Sequence, residues 1–143
     1  LLGGFYAPLS SALGGAPTEA GPNAYAGSVQ TEDWSPERVD ALLAEGKGVF
    51  VDFTASWCVT CQANKRTTLT NPDVLAAMDA GNVAFLVADF TNKDEVFASE
   101  LKKYSRPGVP MYLLYGPGAA EPKLLPQLLT PGLMIREIDA VTS

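Results

Sequence analysis

Val49-Phe50-Val51-Asp52-Phe53-Thr54-Ala55-Ser56-Trp57-Cys58-Val59-Thr60-Cys61 decides how this chain is read. The run from Gly48 to Phe53 has little polar alternation, as expected of a strand buried on both faces. The chain's only two cysteines follow it, spaced Cys-x-x-Cys, and they open a segment of helical composition. A strand that delivers such a pair to the first turn of a helix is a redox device. The helix N-terminus presents unpaired N–H groups and a partial positive charge, so a thiolate there is stabilised and its pKa falls. Two intervening residues let the second sulfur reach the first, so a disulfide forms and breaks with little backbone movement.

Other uses of the pair run short of ligands. A tetrahedral zinc site wants four Cys or His, and the chain has two Cys and no His. Haem attachment needs His after the second Cys, where Gln62 stands. An iron–sulfur cluster would lack half its thiolates. A purely structural disulfide stays open as a reading, although closing so short a loop restrains little unfolded-chain entropy. The expectation is therefore a redox pair with no metal and no cofactor. Without His, the Ser–His and Cys–His hydrolases are excluded. A formal charge of −6 over 143 residues argues against nucleic acid, which calls for a basic stripe. The length suits one domain, expected to act as a monomer. No apolar run reaches the length of a membrane span.

The chain starts at Leu1 without Met, as a fragment or a processed form does. Residues 1–27 carry one charge, Glu19, and 15 of them are Gly, Ala or Pro, the composition of a flexible linker. The opening Leu1-Leu2-Gly3-Gly4-Phe5-Tyr6 is more apolar than a linker requires. It reads either as the trailing end of a membrane helix lying upstream, with Tyr6 near the interface, or as a tail that packs locally.

From residue 28 onward the pattern is regular. Ser28 to Gln30 is expected as a short edge strand. Ser35-Pro36 starts a helix with Ser at N-cap and Pro at N1, and Val39, Leu42 and Leu43 form its apolar stripe before Gly46. A helix from Cys58 to about Leu69 and a second from Asn71-Pro72 to near Gly81 lead to the apolar run Val83–Ala88. That order implies a parallel crossover. Asn92 with Glu95 is a capping pair for a helix reaching Tyr104, with Phe97, Leu101 and Tyr104 inward. Met111–Tyr115 and Lys123–Leu129 flank Gly116-Pro117-Gly118 as an antiparallel hairpin, with Pro126 pushing the second strand to the edge. Thr130-Pro131 caps a last helix with Met134, Ile138 and Val141 on one face. The sum is an α/β domain over residues 28–143, a mixed sheet covered by helices on both faces.

That order, with Trp57-Cys58-Val59-Thr60-Cys61 after the first long strand, resembles the thioredoxin fold. Within the superfamily, Val51 to Cys61 looks most similar to the C-terminal periplasmic domain of DsbD and to the related ScsB reductases. The resemblance implies Cys58 as exposed nucleophile, Cys61 as buried resolving thiol and Asp52 as the buried acid below the sulfurs. It also implies Pro110, in Gly108-Val109-Pro110, as the cis-proline facing the disulfide. The residues alone read as a strand-initiating proline with a trans bond, so the cis expectation rests on the resemblance alone. The residues support Asp52 independently, because an acid inside Val-Asp-Phe in a buried strand is costly to ionise. A strand-end Asp facing water is the alternative. Trp57 is expected as a lid over the disulfide, and Trp57, Val109 and Pro110 as the substrate-binding surface. Two departures stand out. Lys65 occupies the position, seven after the first cysteine, where DsbD-type domains often carry an acid, so acid tuning is expected to fall to Asp52 alone. Met111 follows the proline where many relatives have Thr, a change expected to alter docking beside the site.

The resemblance implies a protein-disulfide reductase domain, periplasmic and tethered to the inner membrane. A transmembrane domain would be its electron donor and disulfide-bearing periplasmic proteins its acceptors. Val59-Thr60 supplies no His and no charge to stabilise the thiolate strongly, which favours the reductant direction. The alternatives are an oxidase or isomerase using the same residues in reverse, a Cu(I)-binding module of this fold, and a docking domain whose disulfide never turns over. Copper carriers of the fold usually have a wider Cys spacing and a His, both absent here.

Overall fold

A computed structural model describes residues 29–143. The expected linker, residues 1–27, and Ser28 lie outside the described residues. Eleven segments follow in the order β1 (Glu32–Asp33), α1 (Pro36–Ala44), β2 (Gly48–Thr54), α2 (Val59–Asn64), a π-helical turn (Lys65–Leu69), α3 (Pro72–Ala80), β3 (Val83–Asp89), α4 (Glu95–Lys103), β4 (Met111–Tyr115), β5 (Lys123–Leu124) and α5 (Pro131–Thr142). The five strands form one sheet in the order β1-β3-β2-β4-β5. β1, β3 and β2 run parallel, while β4 is antiparallel to β2 and β5 to β4. This is the thioredoxin fold expected above, a mixed sheet with helices on both faces.

All seven residues of β2 are buried, which its central place between β3 and β4 requires. Alternation along the strand splits the core in two. Val49, Val51 and Phe53 face one cluster with Leu42 of α1, Leu101 of α4 and Trp34. Phe50 faces the other with Leu69, Val74 and Met78, Tyr112 of β4, and Met134 and Ile138 of α5. Asp52 shares the Phe50 side by the period of two, and so points toward the layer that contains α2.

Local chemistry sets most boundaries. The Ser35 hydroxyl accepts from the Arg38 N–H at 3.0 Å with Pro36 in the first turn, and Gly46 takes φ +83° past the end of α1. Asn71 accepts from the Asp73 N–H at 2.8 Å ahead of α3, and Thr130 from the Leu133 N–H at 3.1 Å ahead of α5.

Four expectations are corrected. The edge strand is Glu32–Asp33 rather than Ser28–Gln30, because its register is set by parallel pairing to Leu86 and Val87 and not by its own composition. Asp94, not Asn92, caps α4, accepting from the Val96 N–H at 2.8 Å. Asn92 is used up in a turn closed by the Lys93 N–H on the Phe90 carbonyl at 2.9 Å, with Lys93 at φ +54°. The helix after Cys58 is α-helical only to Asn64 and then widens to a π turn, where the Thr70 hydroxyl donates to the Lys65 carbonyl at 2.8 Å. The second hairpin strand covers Lys123–Leu124 rather than Lys123–Leu129. Its last ladder bond is Leu125 N–H to the Tyr112 carbonyl, and Pro126 has no N–H with which to continue.

Candidate active site

Cys58 and Cys61 are joined by a disulfide with Cα atoms 5.3 Å apart. Cys58 is the N-cap of α2, and its sulfur accepts from the Cys61 N–H at 3.1 Å. The strand end holds this turn: Ala55 is wholly buried against both cysteines, and its carbonyl accepts from the Cys58 N–H and the Gln62 side chain, both at 3.1 Å. Cys58 is 7% exposed and Cys61 2%. Both residues are buried, so Cys58, expected as exposed, is only the more accessible of the two in this disulfide form; the backbone N–H directed at its sulfur is an arrangement that favours a thiolate.

Of the other expected residues, Val109 packs on this pair. Trp57 is half exposed, its ring edge-on to Phe90 and its indole N–H donating to the Thr91 carbonyl at 3.1 Å. The Lys93 ammonium lies 5.5 Å from the Trp57 ring centre. Val109 packs against Ala55, Cys58 and Cys61, and the Val109–Pro110 peptide bond is cis. Pro110 itself is buried. Asp52 is 1% exposed, which excludes the water-facing alternative. Met111 does not meet a partner: it is fully buried in the core cluster with Trp34 and Phe53, because β4 turns it to the other side of the sheet.

Lys65 is buried rather than reaching into solvent. Burial is the largest influence on its ammonium and pushes the pKa down, while the charges of Asp52 and then Asp89 pull it back up. Tyr112, directly across the sheet from Asp52, has its phenol pKa pushed up, first by burial and next by the Asp52 charge.

Two residues around the site carry no motif. Asn64, 1% exposed, donates from its amide to the Tyr112 hydroxyl and the Gln127 carbonyl, both at 2.8 Å, and accepts from the Leu129 N–H at 3.0 Å. It thereby ties the redox helix to β4 and to the loop that β5 leaves unpaired. The one sequence signal was its place three residues after Cys61, on an otherwise inward stripe. Thr91 accepts from the Ser56 N–H at 2.9 Å and is itself held by Asp89, so the β3–α4 loop anchors the residues before Cys58. Among the described residues no three Cys, Asp or Glu converge as a metal-binding group.

Known proteins agree with this geometry. A family model described as thioredoxin-like matches residues 30–117. Thiol:disulfide interchange protein DsbD 1 of Pseudomonas aeruginosa is 34% identical over 109 residues, which are 70% of this chain and 18% of that protein. DsbD of Ralstonia nicotianae is 37% identical over 79 residues, 55% of this chain and 13% of that protein. The chain thus spans less than a fifth of the length of these curated relatives. Among solved structures, the oxidised C-terminal domain of Neisseria meningitidis DsbD is similar in fold, with a TM-score of 0.61 and 22% identity over 77% of this chain and 98% of that one. A Thermus thermophilus thioredoxin has a TM-score of 0.60 and 23% identity over 80% of this chain and 88% of that one. The matched stretch begins just ahead of β1 and ends past β4, so it takes in Asp52, both cysteines and the cis bond, and the chain belongs to the thioredoxin-like family, with the cysteine pair of a thiol–disulfide oxidoreductase.

Proposed function

We propose that this domain is a thiol–disulfide reductase that takes electrons from a membrane-embedded partner domain and passes them to disulfides of periplasmic proteins. The observation that carries the reading is Cys58 at the N-cap of α2, the more exposed residue of the pair, with the Cys61 N–H directed at its sulfur. The similarity to DsbD supports the direction and the setting proposed. Residues 1–27 serve as the tether, as their Gly, Ala and Pro content suits. No helix among the described residues is long and apolar enough to cross a membrane.

The reaction runs in two exchanges. Cys58 thiolate attacks one sulfur of the acceptor disulfide; that S–S bond breaks, one acceptor sulfur leaves as thiolate, and a mixed disulfide forms. Cys61 then gives its proton to Asp52, directly or through a water, and its thiolate attacks the Cys58 sulfur. The Cys58–Cys61 bond forms as the mixed disulfide breaks, and the acceptor leaves as a dithiol. The domain has lost two electrons and is recharged by the reverse exchange with its donor. Trp57 and Val109 offer the surface on which an acceptor segment lies, while Pro110, expected on that surface, is buried and contributes the cis bond that sets the path of Val109.

The test is mechanistic trapping. Cys61→Ala should accumulate mixed disulfides through Cys58, seen on non-reducing gels as adducts that dithiothreitol releases. If Cys58→Ala accumulates them instead, the two roles are reversed; if neither variant traps and the reduced domain leaves protein disulfides intact, the reductase reading fails.

A further inference from the structure

Among the described residues, the buried Asp, Glu, Lys and Arg side chains are one acid and one base: Asp52 at 1% and Lys65 at 9% exposure. They lie in the same layer. Asp52 projects from β2 on the side of Phe50, toward α2 and α5. Lys65 opens the π turn four residues after Cys61, on the helix side that also buries Cys61, Asn64, Thr68 and Leu69. The neighbouring Asn64 grips the Tyr112 hydroxyl, and Tyr112 is the cross-strand partner of Asp52. The end of the redox helix and the middle of β2 are thus pinned to one place. A lone buried charge is far costlier than an exposed one, and the remedy is an opposite charge close by, where attraction is much stronger than in water.

We propose that Lys65 is the electrostatic partner of Asp52 and that this buried pair, set between β2 and the cysteine helix, governs how readily Cys58 and Cys61 ionise. Lys65 acts through Asp52 and the sulfurs and is a positioning residue. A carboxylate alone beneath the sulfurs opposes thiolate formation, and the ammonium offsets it. The charge effects of Asp52 and Asp89 on Lys65 agree with this placement. The charges that act on Lys65 are Asp52 on β2 and Asp89 at the end of β3; Tyr112 on β4 pairs with Asp52 across the sheet, and the two cysteines lie at the start of Lys65's own helix. Arg66 beside it and Asp73 and Asp79 on α3 are exposed, and Glu137 on α5 is engaged by Lys123. The proposal rests on Cys58, Cys61 and Asp52 forming one redox site, as read above.

Two readouts test it. In the reduced protein, the pH midpoint of Cys58 alkylation by iodoacetamide should move up by at least about half a unit in Lys65→Met, because the carboxylate is left uncompensated. In urea unfolding, Lys65→Met should lower the folding equilibrium constant at least about tenfold more in the wild-type background than in the Asp52→Asn background, the signature of coupled residues. Superimposable alkylation profiles, or equal destabilisation in the two backgrounds, overturn the pairing. Should Lys65→Met fail to fold, Lys65→Gln keeps a polar end without the charge. The wild type itself can also be followed by carbon NMR: Asp52 Cγ and Lys65 Cε should report a shared titration, and independent titrations overturn the pair. Neither readout needs an acceptor protein. Coupled residues in a domain that reduces no protein disulfide would overturn the reductase reading alone; uncoupled residues in an active reductase would overturn only the pair.

Discussion

Replacing Asn64 with alanine removes one side chain that serves three partners on two other segments. The partners differ in what water can do for them. The Gln127 carbonyl belongs to an exposed residue and is rehydrated at little cost. The Leu129 N–H lies in a residue 3% exposed, and leaving it unsatisfied costs about 1–3 kcal/mol. The Tyr112 hydroxyl, wholly buried, loses a bond worth about 1 kcal/mol. The expected loss is therefore about 2–4 kcal/mol, a large part of the roughly 5–15 kcal/mol that holds a domain folded. Tyr112→Phe removes only one of the three bonds and should cost about 1 kcal/mol. Urea unfolding of the oxidised protein, with the slope unchanged between variants, measures both. Amide exchange at Leu129 should also quicken in Asn64→Ala, because its acceptor is gone. A loss below about 1 kcal/mol in Asn64→Ala, equal to that of Tyr112→Phe, would refute the clamp and the reasoning built on it.

Two further outcomes bear on the chemistry. Iodoacetamide should mark Cys58 before Cys61 in the reduced protein, since Cys58 is the more exposed and caps the helix; equal or inverted labelling contradicts the assignment of nucleophile. Asp52→Asn should leave the domain folded and slow the resolution step by about 10²–10⁴-fold, the usual reach of a general base, in single-turnover reduction of a protein disulfide. An unchanged rate near neutral pH would confine Asp52 to a structural role.

What could be read from the chain was whatever is local or periodic. The Val49–Phe53 run, the caps at Ser35, Asn71 and Thr130, and the spacing of Cys58 and Cys61 each carry their physics within a few residues. The elements they mark stand where expected. The losses share a cause, which is that the deciding partner is remote in sequence. Glu32–Asp33 has no strand signature and is a strand only because β3 pairs with it. The stretch after Leu125 looks like more strand, yet its polar groups turn to Asn64, more than 60 residues earlier. Thr91 holds Ser56 across 35 residues. Lys65 read only as a departure from an acidic position; the fold shows it buried in the layer of Asp52. Met111 failed in the opposite sense, because a residue next to the cis-proline need not share its face of the sheet.

The reduction potential of the Cys58–Cys61 couple tests the central claim most directly. The Cys58 thiolate gains the helix N-terminus and one N–H, while Val59-Thr60 brings no charge and Asp52 is buried. A thiolate stabilised so modestly favours the disulfide at equilibrium, which makes the dithiol a good donor. Thioredoxin at about −270 mV and the oxidant DsbA at about −120 mV bracket the outcomes, a gap of about 7 kcal/mol for two electrons. Equilibration against dithiothreitol or glutathione buffers, followed by Trp57 fluorescence beside the disulfide, gives the value. The account predicts a potential nearer the thioredoxin end; one above about −150 mV, close to DsbA, would contradict it and make the domain an oxidase.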